Sequence, residues 1–314
     1  MEKTTYKEGQ NENSMKKNKQ GLLYETIGSI LHDSPLRHIE EVRSRSTWCG
    51  VMSHYTDLDK ITNGWQRGEL TIIAGRPSMG KTSFLLSMVE DVCVDGKVPT
   101  GFISLEMGEY QFLKRLFCIN SYTSIQDLFQ DELNEEDYPN LEATIRDIAT
   151  APLYVDFTPN LTVAQVRERA IDMVAKHGIK LLIIDYLQLL ECDNRNTVNR
   201  YEEISSITRQ LKKLAKVLNI PILVSSQMNR KAVPCDDYNY ELSLSDLRDS
   251  GTIEEDADVV CFIDRPTVYG IMSDKKGNDL RDKAIVTVAK NRSGNTGELF
   301  LRYCFEDGGF VDYF

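Results

Sequence analysis

The sequence predicts an α/β domain built on a mostly parallel central sheet, and three observations carry that expectation. Short apolar runs recur between residues 69 and 291. Stretches with helical periodicity separate several of them. One strand-to-helix junction holds a glycine-rich loop, GRPSMGKT, from Gly75 to Thr82.

The first twenty residues, MEKTTYKEGQNENSMKKNKQ, are polar and have nothing to bury, so residues 1–20 are expected to be a disordered leader. Residues 21–49 are expected to carry a linker helix. Within LLYETIGSIL, Leu23, Ile27, Ile30 and Leu31 share one stripe, which Ser34-Pro35 ends. A helix this short is marginal alone and must dock, either on its own domain or on another subunit. Residues 50–314 are expected to form one domain.

Seven strands are expected there: 69–75, 100–106, 152–157, 179–185, 220–226, 258–264 and 283–291. Most are continuous apolar runs, the pattern of strands covered on both faces. Two helices stand out between them. In TVAQVRERAIDMVAKHG, the residues Val163, Val166, Ala170, Met173 and Val174 form the stripe, with Thr162 as N-cap and Gly178 as C-cap. In YEEISSITRQLKKLAKVLN the stripe is Ile204, Ile207, Leu211, Leu214 and Leu218. The final stretch, GELFLRYCFEDGGFVDYF, predicts a β-hairpin turning at Asp307-Gly308-Gly309.

The loop fits G-x-x-x-x-G-K-[ST], and its chemistry requires that spacing. Gly75, Arg76, Pro77, Ser78, Met79 and Gly80 wrap the backbone so that successive N–H groups face a phosphate. Lys81 reaches the outer phosphates, Thr82 can ligate Mg2+, and Ser83 continues the helix whose N-terminus meets the anion. An ATPase also needs a metal-orienting acid at a strand end, and LLIID ends in Asp185. Tyr186 follows it, so the base that activates water comes from elsewhere. Glu106, closing GFISLE, is the candidate, because a core carboxylate without a partner is costly there.

Composition narrows the class. The chain is 41% hydrophobic and 27% charged, and no apolar run approaches the ~20 residues of a membrane span. Seven scattered cysteines, without CxxC spacing, are expected as buried free thiols in a reducing cytoplasm. The net charge of −11 argues against a nucleic-acid partner at first sight. Asp127, Asp131, Glu132, Glu135, Glu136, Asp137 and Glu142 concentrate much of it in one segment without Lys or Arg. That segment is most simply a solvated acidic face, and the total says little about a small local DNA site.

Six stretches resemble, in order and spacing, the motor domain of the DnaB-like replicative DNA helicases: TDLDKITNGWQRGELTIIAGRPSMGKTSF, SLEM, LLIIDYLQLL, VSSQMNR, LSDLRDSGTIEEDAD and AKNRSGNTG. The resemblance covers about residues 50 to 314. It implies a RecA-like fold, a ring hexamer, ATP and Mg2+ as cofactors, and movement along single-stranded DNA, with 5'-3' polarity. It further implies that Glu106 polarises the attacking water and that Asp185 holds the metal through water. Gln227 would be a γ-phosphate sensor, and Lys290 and Arg292 a pair reaching the phosphates of the adjacent subunit. Arg248, Asp249 and Gly251 would approach the DNA backbone. A helicase loader and host replication proteins are its further implied partners. On the residues alone, Gln227 is equally a strand-end amide, Lys290 and Arg292 two solvated cations, and Leu244–Asp258 a capped turn.

Full-length members of that family carry an amino-terminal collar, and about 50 residues are too few for one. Two other functions share these features. One is a RecA-like repair or recombination ATPase, which would assemble as a filament on DNA. The other is an ATP-binding regulatory subunit of a host helicase ring. The complete set Lys81, Thr82, Glu106, Asp185, Gln227, Lys290 and Arg292 argues against the second.

Overall fold

The computed structural model describes residues 50–124, 138–193, 199–228, 242–247, 250–273 and 277–313. The expected leader and linker helix lie outside the described residues, as does most of the acidic segment.

Nine strands form one sheet in the order β3-β2-β4-β5-β1-β6-β7-β8-β9. They are β1 (Leu70–Gly75), β2 (Thr100–Ser104), β3 (Leu153–Asp156), β4 (Leu181–Asp185), β5 (Ile222–Gln227), β6 (Val259–Asp264), β7 (Lys283–Asn291), β8 (Gly297–Tyr303) and β9 (Phe310–Asp312). β3 through β6 run parallel in that order. β7, β8 and β9 add as an antiparallel extension. The mostly parallel sheet and terminal hairpin are as expected. β7, however, turns back antiparallel on β6 and joins that hairpin.

Helices cover both faces: α1 (Thr56–Thr62), α2 (Lys81–Val89), α3 (Glu109–Ser121), α4 (Tyr138–Thr150), α5 (Val163–His177), α6 (Arg200–Leu218) and α7 (Ser250–Asp256). Alternation along the strands assigns the two cores. Ile73, Phe102, Ile183, Leu223 and Cys261 meet Phe84, Leu85 and Phe112 on one face. Ile72, Ile103, Ile184, Val224 and Phe262 meet Val166, Ile207 and Leu211 on the other. Each such fully buried Leu, Ile or Phe contributes about 1.5–3 kcal/mol.

Local signals explain the helix ends. Thr162 accepts from the Gln165 N–H while the Gln165 side chain returns to Thr162, a reciprocal cap for α5. Gly178 ends that helix at φ 64°, a conformation glycine adopts without strain. Asn199 caps α6. α2 continues into a π-helical turn, Glu90–Asp95. Among the described residues, Cys93, Cys118, Cys192 and Cys261 are buried free thiols and Cys304 is half-buried. No helix among them is long and apolar enough to cross a membrane.

Candidate active site

The phosphate loop leaves the carboxyl end of β1, between β5 and β6, and its glycines sit where no side chain fits. A Cβ at Gly75 would lie 2.8 Å from the Ile263 carbonyl oxygen. Gly80 holds φ 92°, and a Cβ there would strike the Phe310 ring at 2.9 Å. Phe310 belongs to the terminal hairpin, so β9 packs directly on the loop. Lys81 Nζ donates to the carbonyls of Gly75 at 2.9 Å and Arg76 at 3.0 Å.

A cavity of about 630 Å³ opens beside the loop. Pro77, Ser78, Gly80, Lys81, Thr82 and Ser83 line it, together with Glu106, Asp185 and Gln227. Residues drawn from the ends of β1, β4 and β5, and from just beyond β2, thus meet in one place, the usual ligand position in open parallel sheets. Gly75 and Arg76 contribute through their carbonyls to Lys81, and Met79 is buried beneath the loop.

Asp185 is 1% exposed and doubly held. Thr82 Oγ1 donates to its Oδ2 at 2.7 Å, and Ser225 Oγ donates to its Oδ1. Two hard oxygen groups, the Thr82 hydroxyl and this carboxylate, therefore stand adjacent, a donor set that suits Mg2+. Glu106 is exposed to the cavity. Partial burial and the nearby Asp185 charge push its carboxyl above the usual range, against the pull of Lys81 and Arg115. Burial lowers Lys81 from its ordinary value, opposed by Asp185 and Glu106.

The other expected residues lie elsewhere. Lys290 pairs with Val260 near the start of β6, at the end of the sheet away from the loop. At ~3.3 Å per residue, roughly 10 Å of strand, from Ile72 beside Val260 to Gly75, separates it from this chain's own phosphate loop. Lys290 Nζ donates to the carbonyls of Ala257 at 2.7 Å and of Glu254. Arg292 donates to Asp258 Oδ1 at 3.2 Å and to the Glu255 carbonyl. Both cations thus satisfy free carbonyls at the end of α7. Arg248 and Asp249 lie outside the described residues, and Gly251 falls in the backbone of α7.

Sequence reasoning passed over five contributors: Arg115, Gln188, Ser225, Arg265 and Tyr303. Arg115, Arg265 and Tyr303 line the cavity, and the Arg265 guanidinium lies 3.4 Å over the Tyr303 ring. The one available signal was at Ser225, where two serines interrupt the end of an otherwise apolar strand.

Comparison with known proteins gives consistent matches. Residues 50–312 match the model of the DnaB-like helicase C-terminal domain. The chain is 33% identical over 276 residues to the replicative DNA helicase DnaC of Bacillus subtilis, covering 88% of this chain and 59% of that relative. It superposes on a solved ATPase domain with a TM-score of 0.82 and 31% identity, covering 92% of this chain and 99% of that one. It also superposes on a DnaB-like replicative helicase solved in a study of its interactions with primase, with a TM-score of 0.80 and 31% identity. That match covers 93% of this chain and 68% of the other.

Proposed function

The chain belongs to the DnaB-like helicase C-terminal domain family, and from that premise we propose that it is an ATP-driven motor that moves along single-stranded DNA and unwinds duplex during replication. The observation that carries the proposal is the division of the catalytic set. Lys81, Thr82, Glu106, Asp185 and Gln227 converge on one cavity, while Lys290 and Arg292 stand at the far end of the sheet. A cation pair that cannot serve its own loop is suited to a neighbour's. ATP would then lie at a junction between two copies of the chain in a ring, six being the family's number.

In this reading the phosphate loop and Lys81 hold the triphosphate, and Arg265 with Tyr303 offers planar surfaces for the base. Thr82 and Asp185 would hold Mg2+, which neutralises phosphate charge when bound. Glu106 takes the proton of the attacking water, a role that its raised pKa favours. Gln227 contacts the γ-phosphate. Arg292 and Lys290 of the next subunit stabilise the charge that develops on the transferred group. The segment carrying Arg248, Asp249 and Gly251 grips the DNA backbone through phosphate contacts that need no base reading. That segment follows Leu247, whose bridge partner Met228 comes immediately after Gln227, and Gly251 stands in the first turn of α7. A helicase loader and host replication proteins are the partners that would place such a ring on DNA in the cytoplasm.

The test is steady-state ATP hydrolysis during a titration with single-stranded DNA at one fixed salt concentration. Strong stimulation supports the motor. Hydrolysis indifferent to DNA would leave an ATPase of another kind, and none at all would favour a regulatory subunit.

A further inference from the structure

We infer that Gln188 is a positioning residue that sets Gln227 against the phosphates by standing in for a missing stretch of strand. The inference rests on the reading of Gln227 as the γ-phosphate contact. The β4–β5 ladder ends at the pair Ile184↔Val224, whereas β5 runs on to Gln227. Beyond that pair, β4 keeps only its other edge, where Asp185 pairs with Ser104 of β2, and the chain then turns through a short 3-10 segment, Leu187–Leu189.

The turn directs the Gln188 amide at the unpaired edge of β5. Its Oε1 accepts the Gln227 N–H at 3.1 Å. Its Nε2 donates to Ser226 Oγ at 2.9 Å and to the Gln227 carbonyl at 3.3 Å. A primary amide carries the donor and acceptor of a peptide group, so it reaches Gln227, three residues past the ladder's backbone limit at Val224. On the opposite edge Gly75 pairs with Gln227, and Met228 N–H donates to the Gly75 carbonyl at 3.2 Å. The strand end is therefore clamped from both sides.

The turn itself is anchored. Leu187 is fully buried, and Arg200 donates to the Gln188 carbonyl at 2.6 Å. Asp185, three residues earlier, is held by Thr82 and Ser225. One short segment thus fixes both the acid at the end of β4 and the amide at the end of β5. A displacement of about 1 Å at such a group can cost on the order of 10²-fold in rate.

The experiment uses the full chain and four variants: Gln188→Met, Ser226→Ala, Gln227→Ala, and Gln188→Met combined with Gln227→Ala. Gln188→Met keeps side-chain length and removes all three bonds. Its kcat for ATP is expected to fall roughly ten- to hundredfold, with KM and melting temperature nearly unchanged. Ser226→Ala, which removes one bond, gives a smaller fall and serves if Gln188→Met does not fold. The combined variant is expected to be no slower than Gln227→Ala alone, because one residue acts through the other. A kcat for Gln188→Met within twofold of the parent overturns the inference. So do losses that multiply in the combined variant. If Gln227→Ala hydrolyses ATP at the parent rate, the reading of Gln227 fails first and the inference falls with it.

Discussion

Thr82 Oγ1 lies 2.7 Å from Asp185 Oδ2, although 103 residues separate the two in the chain. The bond joins the first turn of α2 to the end of β4, so the glycine-rich loop and the acid proposed to orient the metal form one unit. Ser225 on β5 completes it from the other side of the carboxylate. With its charge shared between two hydroxyls, Asp185 can be almost completely buried without becoming an unpaired liability.

Lys81→Ala removes the cation that spans the loop carbonyls and faces the cavity. ATP turnover is expected to fall by about 10²–10³, as measured by steady-state phosphate release. The melting temperature is expected to stay within a degree or two, because Lys81 contributes charge to the cavity rather than apolar core.

Glu106 and Lys81, both lining the cavity, narrow its working pH range from both sides. A base must be ionised, and Glu106 is raised, so the acid limb of kcat/KM should fall above the usual carboxylate range. Lys81 must be charged, and burial lowers it, so the alkaline limb should begin below the ordinary lysine value. A pH profile of the parent, with Glu106→Gln as the low-activity control, checks both limbs.

Away from the cavity, the π-helical turn after α2 sets a pH dependence of stability. Burial, with Asp91 and Asp95 beside it, pushes the Glu90 carboxyl up to about 8, despite a 3.2 Å hydrogen bond from Asn120. The folded state therefore holds a proton that the unfolded chain releases near 4.5. The stability is fully present below that lower value and is lost as pH rises through about 8. Glu90→Gln should raise the melting temperature by several degrees at pH 8 and leave it nearly unchanged at pH 4. Thermal melts across that range measure the difference.

Much of this was legible in the residues, for physical reasons that also mark where reading stops. Thr162 and Gly178 announced α5 because capping is local chemistry, and the phosphate loop was evident because its spacing is dictated by a phosphate. The strands expected from 100 and 283 begin there, but the one expected from 220 starts later: Pro221 has no N–H to give a ladder, and β5 begins at Ile222. The hairpin turn at Asp307 was visible in Asp-Gly-Gly, but not that its Phe310 would pack on Gly80, a contact across 230 residues of sequence. Gln188 was hidden for a similar reason. Its role depends on where β4 stops pairing with β5, and that is a property of the sheet. Arg265, just past the end of β6, and Tyr303, at the end of β8, meet although 38 residues separate them, which no periodicity encodes.

In the proposed motor, each ATP is hydrolysed between two copies of this chain, one giving Glu106 and the other Arg292. The most direct measurement mixes Arg292→Ala protein with Glu106→Ala protein and follows ATP hydrolysis on single-stranded DNA at fixed total concentration and salt. Each variant alone should bind nucleotide and turn over little. The mixture should recover activity above the sum of the two, because a junction that pairs the intact Glu106 of one with the intact Arg292 of the other is complete. A mixture as inactive as its parts, or an Arg292→Ala protein that hydrolyses ATP at the parent rate, would contradict the shared site.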